Sequence, residues 1–301
     1  MRFLSYHKRL NFRVKKWGQV LLASCLSLGF PLLAAEPNLT EKQSLVSIDF
    51  CADQYLLALA ERSRIQAVSF EAVGPRSFYG LRAEGLPTVN GSVEELIQMQ
   101  PSLVLRTWRG GARAVKILEQ LSIPTYTPTF FMSVEQGFNV VTETAKILNE
   151  EAAGKALISG YKTRLSALNA ATKYTLKAVY MTPSGFTAGT GTYVNDIIHL
   201  AGFETMADEI GLMGWAPLPL EKVALTPPDF VIATFFGDPD VHVSHWSGGR
   251  HGVYKKLMGD LPVIDVPSSY LSCSGLFAVD AAEYIRAEAV RLGLIKRDAG
   301  D

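Results

Sequence analysis

Three histidines, His242, His245 and His251, fall in one loop beside Asp238 and Asp240. Imidazoles and carboxylates together can hold a metal ion or offer a haem iron an axial ligand. The spacing argues against a structural zinc site, which takes closer ligands and usually thiolates. Metal ligation by His242 or His245 is therefore the minor reading, and no resident metal or cofactor is expected. His199 lies on a helical stretch and reads as a packing residue. The chain contains no Gly-x-Ser-x-Gly elbow, no His-Glu-x-x-His and no Gly-rich Lys-Ser/Thr phosphate loop. The glycine-rich "GTGTY" at 189–193 precedes a helix and reads as a tight turn or a ligand loop. A secreted α/β hydrolase is the weaker alternative, and no enzyme is expected.

Aromatic and arginine side chains form a stronger pattern. In the first half, "EAVGPRSFYG" supplies Arg76, Phe78 and Tyr79, and Trp108-Arg109-Gly110-Gly111 follows an apolar run. In the second half come Phe186, Trp215, Phe235-Phe236, Trp246 and Tyr270. Aromatic faces stack on flat or greasy ligands, and arginine fixes carboxylate or phenolate oxygens. The combination fits a large anionic metal chelate or a corrinoid better than a bare ion or a sugar.

The elements that must carry these residues alternate. Short apolar runs at 44–50, 65–70, 102–107, 177–182 and 229–234 suit parallel strands covered on both faces. Helical stretches lie between them, at 53–61, 93–99 and 193–200, with Gly202 as a C-cap for the last. The order predicts an α/β fold, and ligands of such sheets sit beyond the carboxyl ends of the strands.

The stretch "SVEELIQMQPSLVL" has an echo in "PLEKVALTPPDFVI". Glu94 aligns with Glu221 and Pro101 with Pro228, at an offset of 127 residues. Two lobes of similar build are therefore expected. Between them, 134–172 carries apolar residues at helical spacing, and no proline lies between Val134 and Ala171. It predicts one long helix, or two end to end with a break near 149–152. A helix of about 20 residues spans about 30 Å and makes a stiff strut. The alternative is that the segment belongs to the first lobe.

Residues 1–35 hold six Lys/Arg and no acid, then an apolar run ending at Leu33-Ala34-Ala35. This is the pattern of a cleaved signal peptide. Leu22-Ala23-Ser24-Cys25 resembles a lipoprotein box, but the residues after Cys25 stay apolar. An exported, periplasmic protein is expected, with lipid anchoring at Cys25 the lesser alternative. Without those six of 29 basic residues, 23 remain against 29 acids. A net acidic chain argues against nucleic acid as partner. Export permits a disulfide between Cys51 and Cys273, worth roughly 5 kcal/mol in the chain-entropy model. The alternative is two separate buried thiols.

"SIDFCADQYLLALA", "SVEELIQMQPSLVLRTWRGG" and "GTYVNDIIHLAGFETMADEIGLMGWAPLPLEKVALTPPDFVI" resemble a known family over 44–292. It comprises the helix-linked periplasmic substrate-binding proteins of ABC importers, the group with iron-siderophore, haem and vitamin B12 binders. The Trp-Arg-Gly-Gly stretch is especially similar to the vitamin B12-binding member. The resemblance implies two Rossmann-like lobes with parallel sheets, a rigid connecting helix and a ligand cleft between the lobes. The lobes would be 36–133 and 173–301. It also implies a monomer that hands a metal chelate to an inner-membrane permease with its ATPase. Glu94 and Glu221 are the positions that would meet arginines of the permease.

Overall fold

The structure is a computed structural model that describes residues 43–107, 112–236, 252–273 and 277–296. The predicted signal segment, including Cys25, lies outside them. Two α/β lobes are built on parallel sheets.

In the first lobe the strands are β1 (Leu45–Ser47), β2 (Ile65–Ser69), β3 (Thr88–Val89), β4 (Leu103–Leu105) and β5 (Thr125–Tyr126), in the order β3-β2-β1-β4-β5. Every pairing in this sheet is parallel. Both faces are covered, which is why the strands read as apolar runs and not as alternations. Leu103 and Leu105 enter one core beneath α1 (Phe50–Leu59) and α5 (Val134–Ile147). Val104 enters the opposite core beneath α3 (Val93–Met99) and α4 (Ala112–Gln120).

Local chemistry sets the helix ends. The Asp49 side chain accepts from the Ala52 N–H and starts α1. Ser92 and Glu95 form a reciprocal capping box at α3, and Gln100 ends that helix in the left-handed conformation just before Pro101.

The second lobe repeats the plan. Its strands β6 (Lys177–Met181), β8 (Glu204–Thr205), β10 (Phe230–Ala233) and β11 (Val263–Asp265) run in the order β11-β10-β6-β8, all parallel. Tyr180 and Ile232 pack towards α7 (Tyr193–Leu200) and α12 (Ala278–Arg291). Met181 and Val231 pack towards α9 (Leu220–Leu225) and α10 (Gly252–Asp260). A small antiparallel ladder of β7 (Phe186–Ala188) and β9 (Trp215–Pro217) is added at the carboxyl end of β6. The sequence echo is thereby explained: β4 and β10 hold equivalent sheet positions, each preceded by a short helix and a proline.

The connecting segment is two helices, α5 and α6 (Glu151–Ala170), separated at Asn149, which has φ +55°. They are packed together and not laid end to end. A Cβ on Gly154 would lie 2.5 Å from that of Ala145. Helix α5 contributes Val140, Val141 and Ala145 to the first core, while its Val134 and Phe138 pack against the second. Helix α6 is the link: Tyr161 and Leu168 join the second core. Its middle is fixed to α12 by Tyr161, which donates to Asp280 (2.7 Å), and by Arg164, which bonds Asp280 (2.7 Å) and Glu283. Gly202, at φ +96°, ends α7 as expected, and a Cβ there would meet the Thr172 carbonyl. Among the described residues no helix is long and apolar enough to cross a membrane.

Candidate ligand-binding site

The lobes meet at the carboxyl ends of their strands. Cys51, in the first turn of α1, is joined by a disulfide to Cys273, which follows α11 (Ser268–Leu271). Their Cα atoms are 5.4 Å apart and both residues are buried. Phe78 stacks on Phe277 at 4.1 Å and meets Tyr270 edge-on at 5.2 Å. Ser268 donates to the Pro75 carbonyl at 3.3 Å. Residues 50–51 and 75–79 follow β1 and β2, and residues 268–277 follow β11. Both sheets therefore direct their carboxyl ends at the lobe boundary, where α/β proteins bind ligands.

On the first lobe this edge is held by buried carboxylates. Asp49 accepts from the Thr107 N–H (2.6 Å) and hydroxyl (2.8 Å), besides capping α1. Thr107 is the residue before Trp108. Asp53 accepts from the Ser47 hydroxyl, the Ser69 N–H (2.8 Å) and the Ser69 hydroxyl (2.5 Å). Burial outweighs these bonds and pushes the Asp53 carboxyl up to about 6. Together the two aspartates stitch the ends of β1, β2 and β4.

The predicted residues fall into three groups. Phe186 and Trp215 share one face of the β7–β9 ladder and are 41 % and 44 % exposed. Trp215 leans on Tyr180 and Tyr193, each at 6.0 Å between ring centroids. Phe236 is 39 % exposed just past β10, after Phe235 at φ +70°. A left-handed aromatic residue is a strained arrangement at a strand end. These three side chains line the edge of the second lobe.

A second group is engaged in structure. Tyr79 is half-buried against Phe78 and Phe277, with the Arg82 guanidinium over its ring at 4.4 Å. Burial raises its hydroxyl pKa. Tyr270 touches Phe78 and Tyr284. Arg76 pairs with Glu71 at 3.2 Å and lies over Phe50. These residues sit at the lobe boundary, where they contribute to its packing. His199 is partly exposed and bridges the Phe203 carbonyl (3.1 Å) and Asp208 (2.5 Å), so it ties a turn down instead of filling a core. The "GTGTY" segment is a tight turn: Thr192 caps α7, and Thr190 donates to Asp208 at 2.6 Å.

The third group, Trp108, Arg109, Trp246, His242, His245 and His251, lies outside the described residues. Among the described residues no cluster of His, Cys, Asp and Glu could hold a metal ion.

Sequence reasoning missed Phe70 (60 % exposed), Val73 and Met213, apolar side chains left open at the same strand-end edges. Phe70 ends an apolar run, so it reads as strand core. The signal for exposure was its place beside the turn "EAVGPR".

Glu94 and Glu221 are exposed, each in the first turn of its helix, α3 and α9.

The periplasmic binding protein family profile matches residues 45–236, and the chain belongs to that family. A search of curated proteins gave no match. Several solved structures share the fold. The periplasmic heme-binding protein HutB of Vibrio cholerae superposes with a TM-score of 0.66 at 20 % identity, over 82 % of this chain and 98 % of that one. A possible iron-binding, periplasmic solute-binding protein of Staphylococcus epidermidis gives 0.65 at 18 %, over 82 % and 99 %. The periplasmic vitamin B12 binding protein BtuF of Vibrio cholerae gives 0.58 at 15 %, over 85 % and 98 %. These likenesses show the fold, and the family is one of solute-binding proteins.

Proposed function

We propose that the protein is the periplasmic capture component of an ABC importer and that its cargo is a metal chelate. The cargo would be a vitamin B12-type corrinoid, a ferric siderophore or haem. The observation that carries this reading is the set of exposed aromatic side chains Phe70, Phe186, Trp215 and Phe236 at the carboxyl ends of the strands of both lobes. Large apolar side chains held open to water at a lobe boundary are there to be covered. A flat or bulky chelate presents the faces that would cover them. Solved structures with this fold include a heme-binding and a vitamin B12 binding protein, which supports the same class.

In this reading Trp108 and Arg109 face the chelate from the first lobe, and Phe186, Trp215, Phe236 and Trp246 face it from the second. Arg76, Tyr79 and Tyr270 border the site. Glu94 and Glu221 dock on arginines of the permease, and the protein itself makes and breaks no covalent bond in its cargo.

The test is a titration of residues 36–301 with cyanocobalamin, cobinamide, ferric siderophores, haemin and free metal ions, followed by tryptophan fluorescence with correction for ligand absorbance. Saturable binding of one chelate at about micromolar affinity or tighter, weakened by Trp215→Ala and by Arg109→Ala, is expected. Absence of binding across the panel by folded protein refutes the reading.

A further inference from the structure

We infer that the Cys51–Cys273 bridge, with the Phe78–Phe277 stack beside it, is a clamp that fixes the spacing of the two walls of the ligand cleft, so that these four are positioning residues for capture. The inference rests on the proposal that ligand is held between the lobes.

The main chain passes from lobe to lobe along α6. Helices α5 and α6 pack the two lobes together along one side. The disulfide supplies a second covalent crossing, between residues 222 apart in sequence, at the lobe boundary itself. It is enclosed by Phe50, Phe277, Phe78 and Tyr79. Ser268 and Pro75 add a polar contact between the same two segments.

Both feet of the clamp lead directly to the walls. In the first lobe Cys51 stands in the first turn of α1, two residues after Asp49. Asp49 holds both the Ala52 N–H of that turn and the backbone and side chain of Thr107. The next residue is Trp108. In the second lobe Cys273 follows α11, whose Leu271 carbonyl accepts from the Tyr193 hydroxyl at 2.7 Å. The Tyr193 ring in turn meets Trp215. Each sulfur is thus connected through one hydrogen-bonded side chain to the strand-end edge of its own lobe, at Thr107 in the first and at Trp215 in the second. A bridge placed merely to staple the fold would have no need of these two short routes.

The test joins a distance measurement to a binding measurement. Spin labels on Lys116→Cys and Lys256→Cys, exposed positions on α4 and α10, report the spacing of the lobes without any ligand. With Cys51 and Cys273 intact, one narrow distance distribution is expected. In the Cys51→Ala/Cys273→Ala chain it broadens. Affinity for whichever of cyanocobalamin, haemin or a ferric siderophore the wild type binds then falls about tenfold, as when one conformation in ten is competent. Tyr193→Phe, which keeps the bridge and removes the hydroxyl that bonds the Leu271 carbonyl, weakens the same ligand several-fold with an unbroadened distance distribution. It carries the test if the double variant does not fold. An unchanged distribution in the double variant overturns the clamp, and so does wild-type affinity in Tyr193→Phe. If no probe binds the wild type, the chelate reading has failed instead, and the distance arm still decides the clamp.

Discussion

Glu94 and Glu221, 127 residues apart, each occupy the second position of a short helix, with the residue two further on buried in its lobe. Leu96 and Val223 are those buried residues, so the two helices present the same face to solvent. Two carboxylates so placed form a pseudo-symmetric pair suited to a basic two-fold partner. Glu94→Ala and Glu221→Ala are expected to leave chelate affinity unchanged. Uptake should fall for each, and further for the double variant, in vesicles carrying the permease and its ATPase. Full uptake by the double variant would remove the docking role.

Asp53 gives the protein a pH signature. Its carboxyl titrates near 6 in the fold and near 3.8 when exposed. The folded form therefore holds the proton more tightly. The stabilisation is complete below about pH 4, declines as pH rises to 6 and is absent above, a span of up to about 3 kcal/mol. Denaturant unfolding from pH 4 to 7 should show wild type losing more stability across that window than Asp53→Asn. Parallel curves for the two proteins would assign the slope to other carboxylates.

The bridge between Cys51 and Cys273 constrains the unfolded chain over most of its length. Cys51→Ala/Cys273→Ala should lower stability by about 2–5 kcal/mol. Guanidinium melts of oxidised wild type against the variant provide the comparison. Equal midpoints would mean the bridge contributes nothing net.

Helices α5 and α6 touch where Gly154 faces Ala145. Gly154→Leu should destabilise by about 1–3 kcal/mol through overpacking. Ala145→Gly in the same chain should restore part of the loss, because it vacates the volume the new side chain needs. A thermal melt of the single and double variants decides it. Full stability of Gly154→Leu would show that the two helices separate freely.

Much of the fold was legible because parallel strands covered on both sides leave a plain mark. The runs ending at Phe70, Thr107 and Thr234 each contain a strand, and α3 and α7 have the predicted bounds. The break between α5 and α6 falls where the sequence offered one, near 149–152, but the reversal of direction there was less legible. Apolar spacing continues through Leu148, and only Asn149 in a left-handed conformation reverses the chain. Site residues are harder to read from sequence for a physical reason. Aromatic side chains serve equally to stack on a ligand and to pack two lobes together, and sequence does not separate the uses. Trp215 and Phe186 are open at the edge, while Tyr79 and Tyr270 are spent on the Phe78–Phe277 contact.

The bond between Cys51 and Cys273 closes the backbone into a ring that contains nearly all of both lobes. A single cut anywhere from residue 52 to 272 therefore opens the ring without dividing the molecule. Both pieces stay on one covalent body. A chain clipped once inside the ring survives as one particle until the sulfurs are reduced.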